Sequence, residues 1–243
     1  MSVAPERFGR RLEAPCIEVR ALSFRWRPPE PFALRVPHFT LARGERLLLT
    51  GPSGSGKSTL LALLAGLAAP DAGSVAVLGN DLAALSARAR DRLRAAQVGV
   101  VFQALNLLPY LSAVDNVLLP LHFAPARRNR IAAERSPRAE AARLLSRLGL
   151  PDDIGGRPAT RLSIGEQQRV AAARALIGRP ALILADEPLS ALDIDHQAAF
   201  LELLLQEVAE AGTTLLMVGH DLRIAPHFDR TVRLADLIEA PAS

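Results

Sequence analysis

The sequence predicts an α/β protein, a parallel sheet covered by helices on both faces, and three observations carry that prediction. Short apolar runs bounded by turn residues alternate with helix-patterned stretches. One of those runs leads straight into a glycine-rich loop that opens a helix. A long block, about residues 104–175, carries helical patterning alone, which makes it an insert in the alternating core.

Taken in order, residues 1–15 read as a flexible tail. Two strand-like runs follow near 17–24 and 32–40, separated by the turn Arg27-Pro28-Pro29-Glu30-Pro31. Arg46-Leu47-Leu48-Leu49-Thr50 is a buried strand, and Leu60, Leu61, Leu63, Leu64 and Leu67 then recur at helical spacing. Pro70-Asp71-Ala72-Gly73 reads as a turn, 74–78 as a short strand, 83–96 as an Ala/Leu/Arg helix and 98–102 as a strand ending at Gln103. Within the helical block, Pro109, Pro120, Pro125, Pro137, Pro151 and Pro158 are expected breaks. Strands return at 181–185 and 214–218, with a helix over 197–211 between them. The reading is one domain over 16–243, with its core at about 16–103 and 176–235 and the helical part at about 104–175.

Of 29 basic side chains only Lys57 is a lysine, and it stands in Gly51-Pro52-Ser53-Gly54-Ser55-Gly56-Lys57-Ser58-Thr59. A slim ammonium fits a tight cradle that the wide guanidinium fork would not. The spacing is that of a phosphate-binding loop: the glycines let backbone N–H groups close around an anion, and the following helix adds its positive end. A second element is Leu182-Ile183-Leu184-Ala185-Asp186-Glu187, an apolar strand ending in paired carboxylates. In a phosphate-loop enzyme the first carboxylate, with the loop Ser58, helps to hold Mg²⁺, and the second is placed to orient or deprotonate an attacking water. A third is Leu162-Ser163-Ile164-Gly165-Glu166-Gln167-Gln168-Arg169-Val170, where Ser163 caps a helix whose N-terminus is another anion site.

Bulk properties exclude several classes. No apolar run approaches the ~18–20 residues of a membrane span, and the N-terminus lacks the apolar centre of a signal peptide. The lone Cys16 cannot form an internal disulfide, which suits a reducing cytosol, and reads as a buried packing residue. Net charge is +4 and the pI about 10.4. The arginines are scattered among alanines as on solvated helix faces, including clusters at 88–94 and 127–138, so no nucleic-acid partner is expected. His38, His122, His196 and His227 match no motif and read as structural or surface residues.

The three motifs, with Gln103 after a strand, Ser190-Ala191-Leu192-Asp193 and His220, occur in an order that resembles the nucleotide-binding subunit of an ABC transporter over roughly residues 16–235. The resemblance implies a RecA-like phosphate-loop NTPase core, an N-terminal antiparallel β subdomain and a helical subdomain carrying the signature. It implies ATP and Mg²⁺ as cofactors. Lys57 would contact the β- and γ-phosphates, and Gly51 to Thr59 would surround them. Ser58, Gln103 and Asp186 would address the metal. Gln103 would also sense the attacking water and couple core to helical subdomain. Glu187 would be the catalytic base, and His220 would touch the γ-phosphate. Ser163, Gly165 and Glu166 would grip ATP held by a second copy, and Asp193 would lie at the dimer seam. The adenine-stacking aromatic falls at Trp26, in preference to Phe24.

Two features depart from the usual Leu-Ser-Gly-Gly-Gln signature, Ile164 and Glu166, and Gly219 before His220 is expected to loosen its strand end. The run from Phe102 to Pro109, then 112–121, resembles the branch of macrolide exporters, lipoprotein-release ATPases and a cell-division ATPase, the MacB/LolD/FtsE-like branch. That implies a separate integral-membrane permease of the four-helix type, one helix of which enters a groove lined by residues 105–110. It also implies a cytoplasmic protein peripheral to the inner face of the plasma membrane. A solute-importer ATPase, a regulatory clamp and a non-transport ATPase acting on DNA or ribosomes remain alternatives.

Overall fold

The computed structural model describes residues 14–26, 34–131, 135–190, 192 and 194–239. The expected tail up to residue 13, the turn at 27–31 and Asp193 lie outside the described residues. Two sheets form the frame. The first is antiparallel, in the order β2 (Leu34–Leu41), β1 (Ile17–Phe24), β4 (Ala72–Val77), β5 (Asn80–Asp81). The second is parallel, in the order β6 (Val98–Val101), β7 (Leu182–Asp186), β8 (Thr214–Gly219), β3 (Arg46–Thr50), β9 (Arg230–Arg233). The fold is therefore α/β with an antiparallel sheet beside a parallel, RecA-like core.

The period of two in the parallel strands divides the interior. Leu48, Ile183, Ala185, Leu215 and Met217 point to one face, packed with α3 (Ala113–Phe123), α5 (Pro137–Arg147), α6 (Ile164–Leu176) and α7 (Ile194–Glu210). Their neighbours Leu47, Leu49, Leu182, Leu184, Leu216 and Val218 point the other way, onto α1 (Lys57–Leu64) and the antiparallel sheet. Strands buried on both faces are the reason that 46–50 and 182–185 read as continuous apolar runs. Cys16 is fully buried in this second cluster, and burial pushes its thiol up from the ordinary value.

Several elements differ from the sequence reading. Residue 72 begins β4 rather than a turn; Gly73 is left-handed there (φ +83°), and a Cβ on it would lie 2.2 Å from the Ala21 carbonyl oxygen. Helix α1 stops at Leu64 because Gly66 takes the left-handed conformation (φ +67°), which leaves Leu67 outside the helix and half exposed. Helix α2 (Ala87–Gln97) starts later than residue 83, at the point where the Ser86 hydroxyl accepts the Ala89 N–H. Pro120 does not break its segment but sits inside α3, whose buried Val117, Leu118 and Leu121 outweigh the lost hydrogen bond. Pro125 and Pro137 begin helices, with α4 covering Pro125–Asn129. Strands β5 and β9 were not anticipated: one is two residues long, and the other presents Arg230, Thr231 and Arg233 to solvent at a sheet edge.

The basic cluster at 127–138 is not uniformly a solvated face. Arg127 is 2% exposed and donates to the carbonyls of Ile177 and Ala175, closing the C-terminus of α6. Burial, with a smaller contribution from the charge of neighbouring Arg130, lowers its pKa to about 10. Gly219 pairs in register with Thr50, so the end of β8 is not loosened.

Candidate nucleotide site

The loop between β3 and α1 is shaped by left-handed Gly54 and Gly56 (φ +77° and +105°), conformations that a side chain would oppose. No side chain caps α1 and no acidic residue lies in its first turn. Its free N–H groups and positive dipole end therefore remain available to an anion. The Lys57 ammonium donates to two consecutive carbonyls at the start of the loop, those of Gly51 (2.8 Å) and Pro52 (2.9 Å), which hold the charge in the loop. Ser53, Gly54, Gly56, Lys57, Ser58 and Thr59 line a cleft of about 340 Å³ with Gln103 and Glu187.

Parallel pairing brings the rest of the site to the same sheet edge. Strand β7 lies beside β8, and β8 beside β3, so the carboxyl ends of all three meet above the loop. Asp186 ends β7. Burial pushes its carboxyl above the ordinary range; a hydrogen bond with Ser58 and the charge of Lys57 oppose the rise, and Glu187 adds to it. One Asp186 oxygen is buried without a hydrogen-bond partner among the described residues. A buried carboxylate with a spare oxygen, beside a hydroxyl, suits a small hard cation with oxygen ligands.

Glu187 has a left-handed backbone (φ +47°); its N–H donates to the Val218 carbonyl at 3.1 Å, and the residue lines the cleft. The ring Nδ1 of His220, just beyond β8, lies 3.9 Å from a Glu187 carboxylate oxygen. Next to it, Arg223 holds the Asp221 carboxyl down at about 2. Trp26 is half exposed and meets the buried Phe24 edge-on with centroids 5.1 Å apart, and its indole N–H donates to the Thr59 hydroxyl at 3.1 Å. The exposed aromatic face beside the loop is thus that of Trp26, while Phe24 belongs to the core.

Ser163, Gly165 and Glu166 are not part of this cleft; they open α6. The Ser163 hydroxyl accepts the Glu166 N–H, and the Glu166 carboxylate accepts the Ser163 N–H at 2.7 Å, a full capping box. Glu166 thus performs a local task open to glutamine as well. The Ile164 side chain is 54% exposed, so its branch meets no core. A Cβ on Gly165 would come within 2.8 Å of the Leu192 side chain.

The sequence reading missed two supports of the segment after Gln103. Asn116, fully buried, accepts the Leu108 N–H at 2.8 Å and donates to the carbonyls of Leu108, Leu111 and Ser112. Arg174 donates to the carbonyls of Leu105 and Asn106. A polar residue on an otherwise apolar helix face was the available signal in both cases. Of residues 105–110, Asn106 and Leu108 line a groove together with Phe102, Leu119, Pro120 and Phe123. Leu105 is instead a core residue, and Tyr110 stands exposed off the groove.

With this geometry in hand, comparison with known proteins is informative. The ABC transporter family profile matches residues 34–190. The chain is 47% identical over 194 residues to an uncharacterised ABC transporter ATP-binding protein, YbbA, of Escherichia coli K12, spanning 80% of this chain and 82% of that protein. It is 43% identical over 209 residues to the lipoprotein-releasing system ATP-binding protein LolD of Ruegeria sp., covering 86% and 89%. To the macrolide export ATP-binding/permease protein MacB 2 of Aeromonas hydrophila it is 39% identical over 93% of this chain, which is 34% of that longer protein. The fold superposes on a dimeric post-hydrolysis structure of the ATP-binding cassette MJ0796 bound to ADP and Pi, with TM-score 0.79, 32% identity and coverage of 92% and 97%. The chain belongs to the ABC transporter family, as an ATP-binding protein of the branch that holds MacB and LolD.

Proposed function

We propose that this chain hydrolyses ATP as a head-to-tail pair of copies, each site joining one copy's phosphate loop to the other copy's signature helix, and that the pair drives a separate membrane permease for export, lipoprotein release or mechanical signalling. The observation that carries this reading is the division of the site. Lys57, Ser58, Gln103 and Glu187 converge on one cleft, while the helix N-terminus at Ser163 lies outside it and needs a second copy to reach a nucleotide. The relative solved with ADP and Pi is itself dimeric.

In this reading Trp26 stacks on the base, the loop N–H groups and Lys57 hold the phosphates, and His220 meets the γ-phosphate. Ser58, Asp186 and Gln103 hold Mg²⁺, which when bound neutralises developing charge on the phosphate oxygens. Glu187 takes the proton of the attacking water. Ser163, Gly165 and Glu166 close on the partner's nucleotide, with Asp193 at the seam. The domain division proposed is a core at about 16–103 and 176–235 with a moving helical part between. The permease helix is assigned to the groove of about 660 Å³ lined by Phe102, Leu108, Leu119 and Phe123. No helix among the described residues is long and apolar enough to cross a membrane, so membrane attachment falls to the permease, of the four-helix type in this reading, at the cytoplasmic face.

The test is Glu187→Gln. Loss of a general base lowers turnover by about 100-fold or more, and the variant should run as a dimer with ATP on size exclusion and as a monomer with ADP. Unchanged turnover would remove Glu187 from the role of base, and a monomer under ATP would remove the paired-site reading. Affinity purification from native membranes, with partners identified by mass spectrometry, tests the permease; recovery of a multi-span importer instead would overturn the export assignment.

A further inference from the structure

The segment that follows Gln103 holds two consecutive non-glycine residues in the left-handed conformation, Leu105 (φ +57°) and Asn106 (φ +51°). Side chains disfavour that conformation, so it persists only where the surroundings enforce it. The turn has backbone bonds of its own, from the Leu105 N–H to the Phe102 carbonyl and from the Asn106 N–H to the Ala104 carbonyl, and the side chain that holds it from outside comes from α6. The Arg174 guanidinium spreads its fork over both residues, with Nη1 to the Asn106 carbonyl at 2.6 Å and Nη2 to the Leu105 carbonyl at 2.5 Å. Its hydrogen bonds are to backbone alone among the described residues. A planar guanidinium, with two N–H groups set in a rigid fork, fixes the relative orientation of two adjacent carbonyls in a way that a point-like, rotatable ammonium does not.

The base of this clamp is rigid. A Cβ on Gly99 would lie 2.4 Å from the Ala175 carbonyl oxygen, so the end of α6 is pressed directly on β6, the strand that leads to Gln103. Arg174 sits in the last turn of the helix that opens at Ser163. Eleven residues of α-helix span about 16 Å. One stiff rod thus carries the capped signature end at one terminus and the clamp on the Gln103 segment at the other.

We propose that Arg174 is a positioning residue for the hydrolytic step: by locking the turn at Leu105–Asn106 it sets Gln103 in the nucleotide cleft and makes that placement depend on where α6 stands. This rests on the reading of Gln103 as a group that addresses the metal ion or the attacking water. Movement of the signature helix would then reach Gln103 through two hydrogen bonds, without passing through the nucleotide.

The experiment is a kinetic cycle on the full chain with Arg174→Met, Arg174→Lys, Gln103→Ala and the double variant Arg174→Met/Gln103→Ala, beside Arg130→Gln as a control. Arg130 makes the same kind of contact, to the carbonyls of Gly178 and Ala96, away from Gln103. Misplacing a group near the chemistry costs about 10- to 100-fold. Arg174→Met should lose that much in kcat while KM for ATP and the Kd for ADP stay within about twofold. Arg174→Lys should fall between Met and wild type, and the double variant should be no slower than Gln103→Ala, because coupled residues are not additive. Arg130→Gln should lower Tm and leave kcat unchanged below the transition. Wild-type kcat in folded Arg174→Met overturns the clamp. So does a kcat loss matched by equal loss of ADP affinity and Tm, which would make Arg174 only structural. If Gln103→Ala is fully active, the reading of Gln103 fails; if Gln103→Ala is slow and Arg174→Met is not, the clamp alone fails.

Discussion

Replacing Glu207 with glutamine is a measurable test of how the helical stretch is tied to the core. Glu207 lies on α7 and its side chain is 4% exposed. It accepts three hydrogen bonds from α5: Arg143 Nη1 at 3.0 Å, Arg143 Nη2 at 2.8 Å and Arg147 Nε at 2.7 Å. Glutamine keeps the shape but removes the charge, and its NH₂ turns one acceptor into a donor facing arginine. A charge-assisted bond contributes about 1 kcal/mol more than a neutral one, so three bonds give about 3 kcal/mol before screening. The arginine side chains are 26% and 42% exposed, and solvent reduces the figure to about 2 kcal/mol. Arg143 is not orphaned, because Glu140 takes two of its N–H groups. In a domain of this size about 2 kcal/mol corresponds to a fall in Tm of about 4–8 °C.

The pH dependence supplies a second check. Burial raises the Glu207 carboxyl, but the hydrogen bonds and charges of Arg143 and Arg147 outweigh it and hold the pKa below the ordinary glutamate value. A depressed folded pKa contributes stability that is fully present above the unfolded value, about 4.3, and is lost as pH falls through the folded value. The gap in Tm between wild type and Glu207→Gln should therefore be full at pH 7 and shrink as the solution is acidified below about pH 4. Thermal denaturation followed by circular dichroism across that range is the assay. A gap under about 1 °C at pH 7, or one that stays constant on acidification, would refute the reasoning.

Two further outcomes follow from the site. Trp26→Ala should raise KM for ATP by about tenfold, since stacking on a base contributes about 1–3 kcal/mol, with kcat unchanged; steady-state kinetics decide it, and an unaltered KM returns Trp26 to the role of a packing aromatic. Asn116→Ala should cost about 2–4 kcal/mol, because the buried Leu108 N–H and the carbonyls it satisfies lose their partner. The readout is a lower urea midpoint at unchanged m-value, and an unaltered midpoint would mean that the segment finds other partners.

The supports of Gln103 show where sequence reasoning stops. Arg174 stands between Ala173 and Ala175, and Asn116 between Asp115 and Val117; the sequence reading gave neither side chain a role of its own. Their partners are 68 and 69 residues away for Arg174, and no local pattern specifies that pairing. Strand β9 was missed for a related reason: it is an edge strand with little buried surface, so it carries no hydrophobic period. The N-cap of α6, by contrast, was legible at Ser163, because a cap is a bond between near neighbours; the reciprocal bond to Glu166 emerged only in the structure.

By itself the sequence determined what depends on short stretches of chain: the phosphate loop, whose glycines set the backbone over a few residues; the apolar strands, whose runs report burial on both faces; and the ordered motifs that resemble the family. Tertiary structure decided what depends on elements distant in sequence. Parallel pairing of β7, β8 and β3 brings Glu187 to within 3.9 Å of His220, and the approach of β1 to α1 seats Trp26 on Thr59. The contact of α6 with β6 puts Arg174 over the turn behind Gln103. The physical reason is that backbone conformation and burial periodicity are local properties of the chain, whereas the distance between two side chains on different elements is set only when the whole core packs.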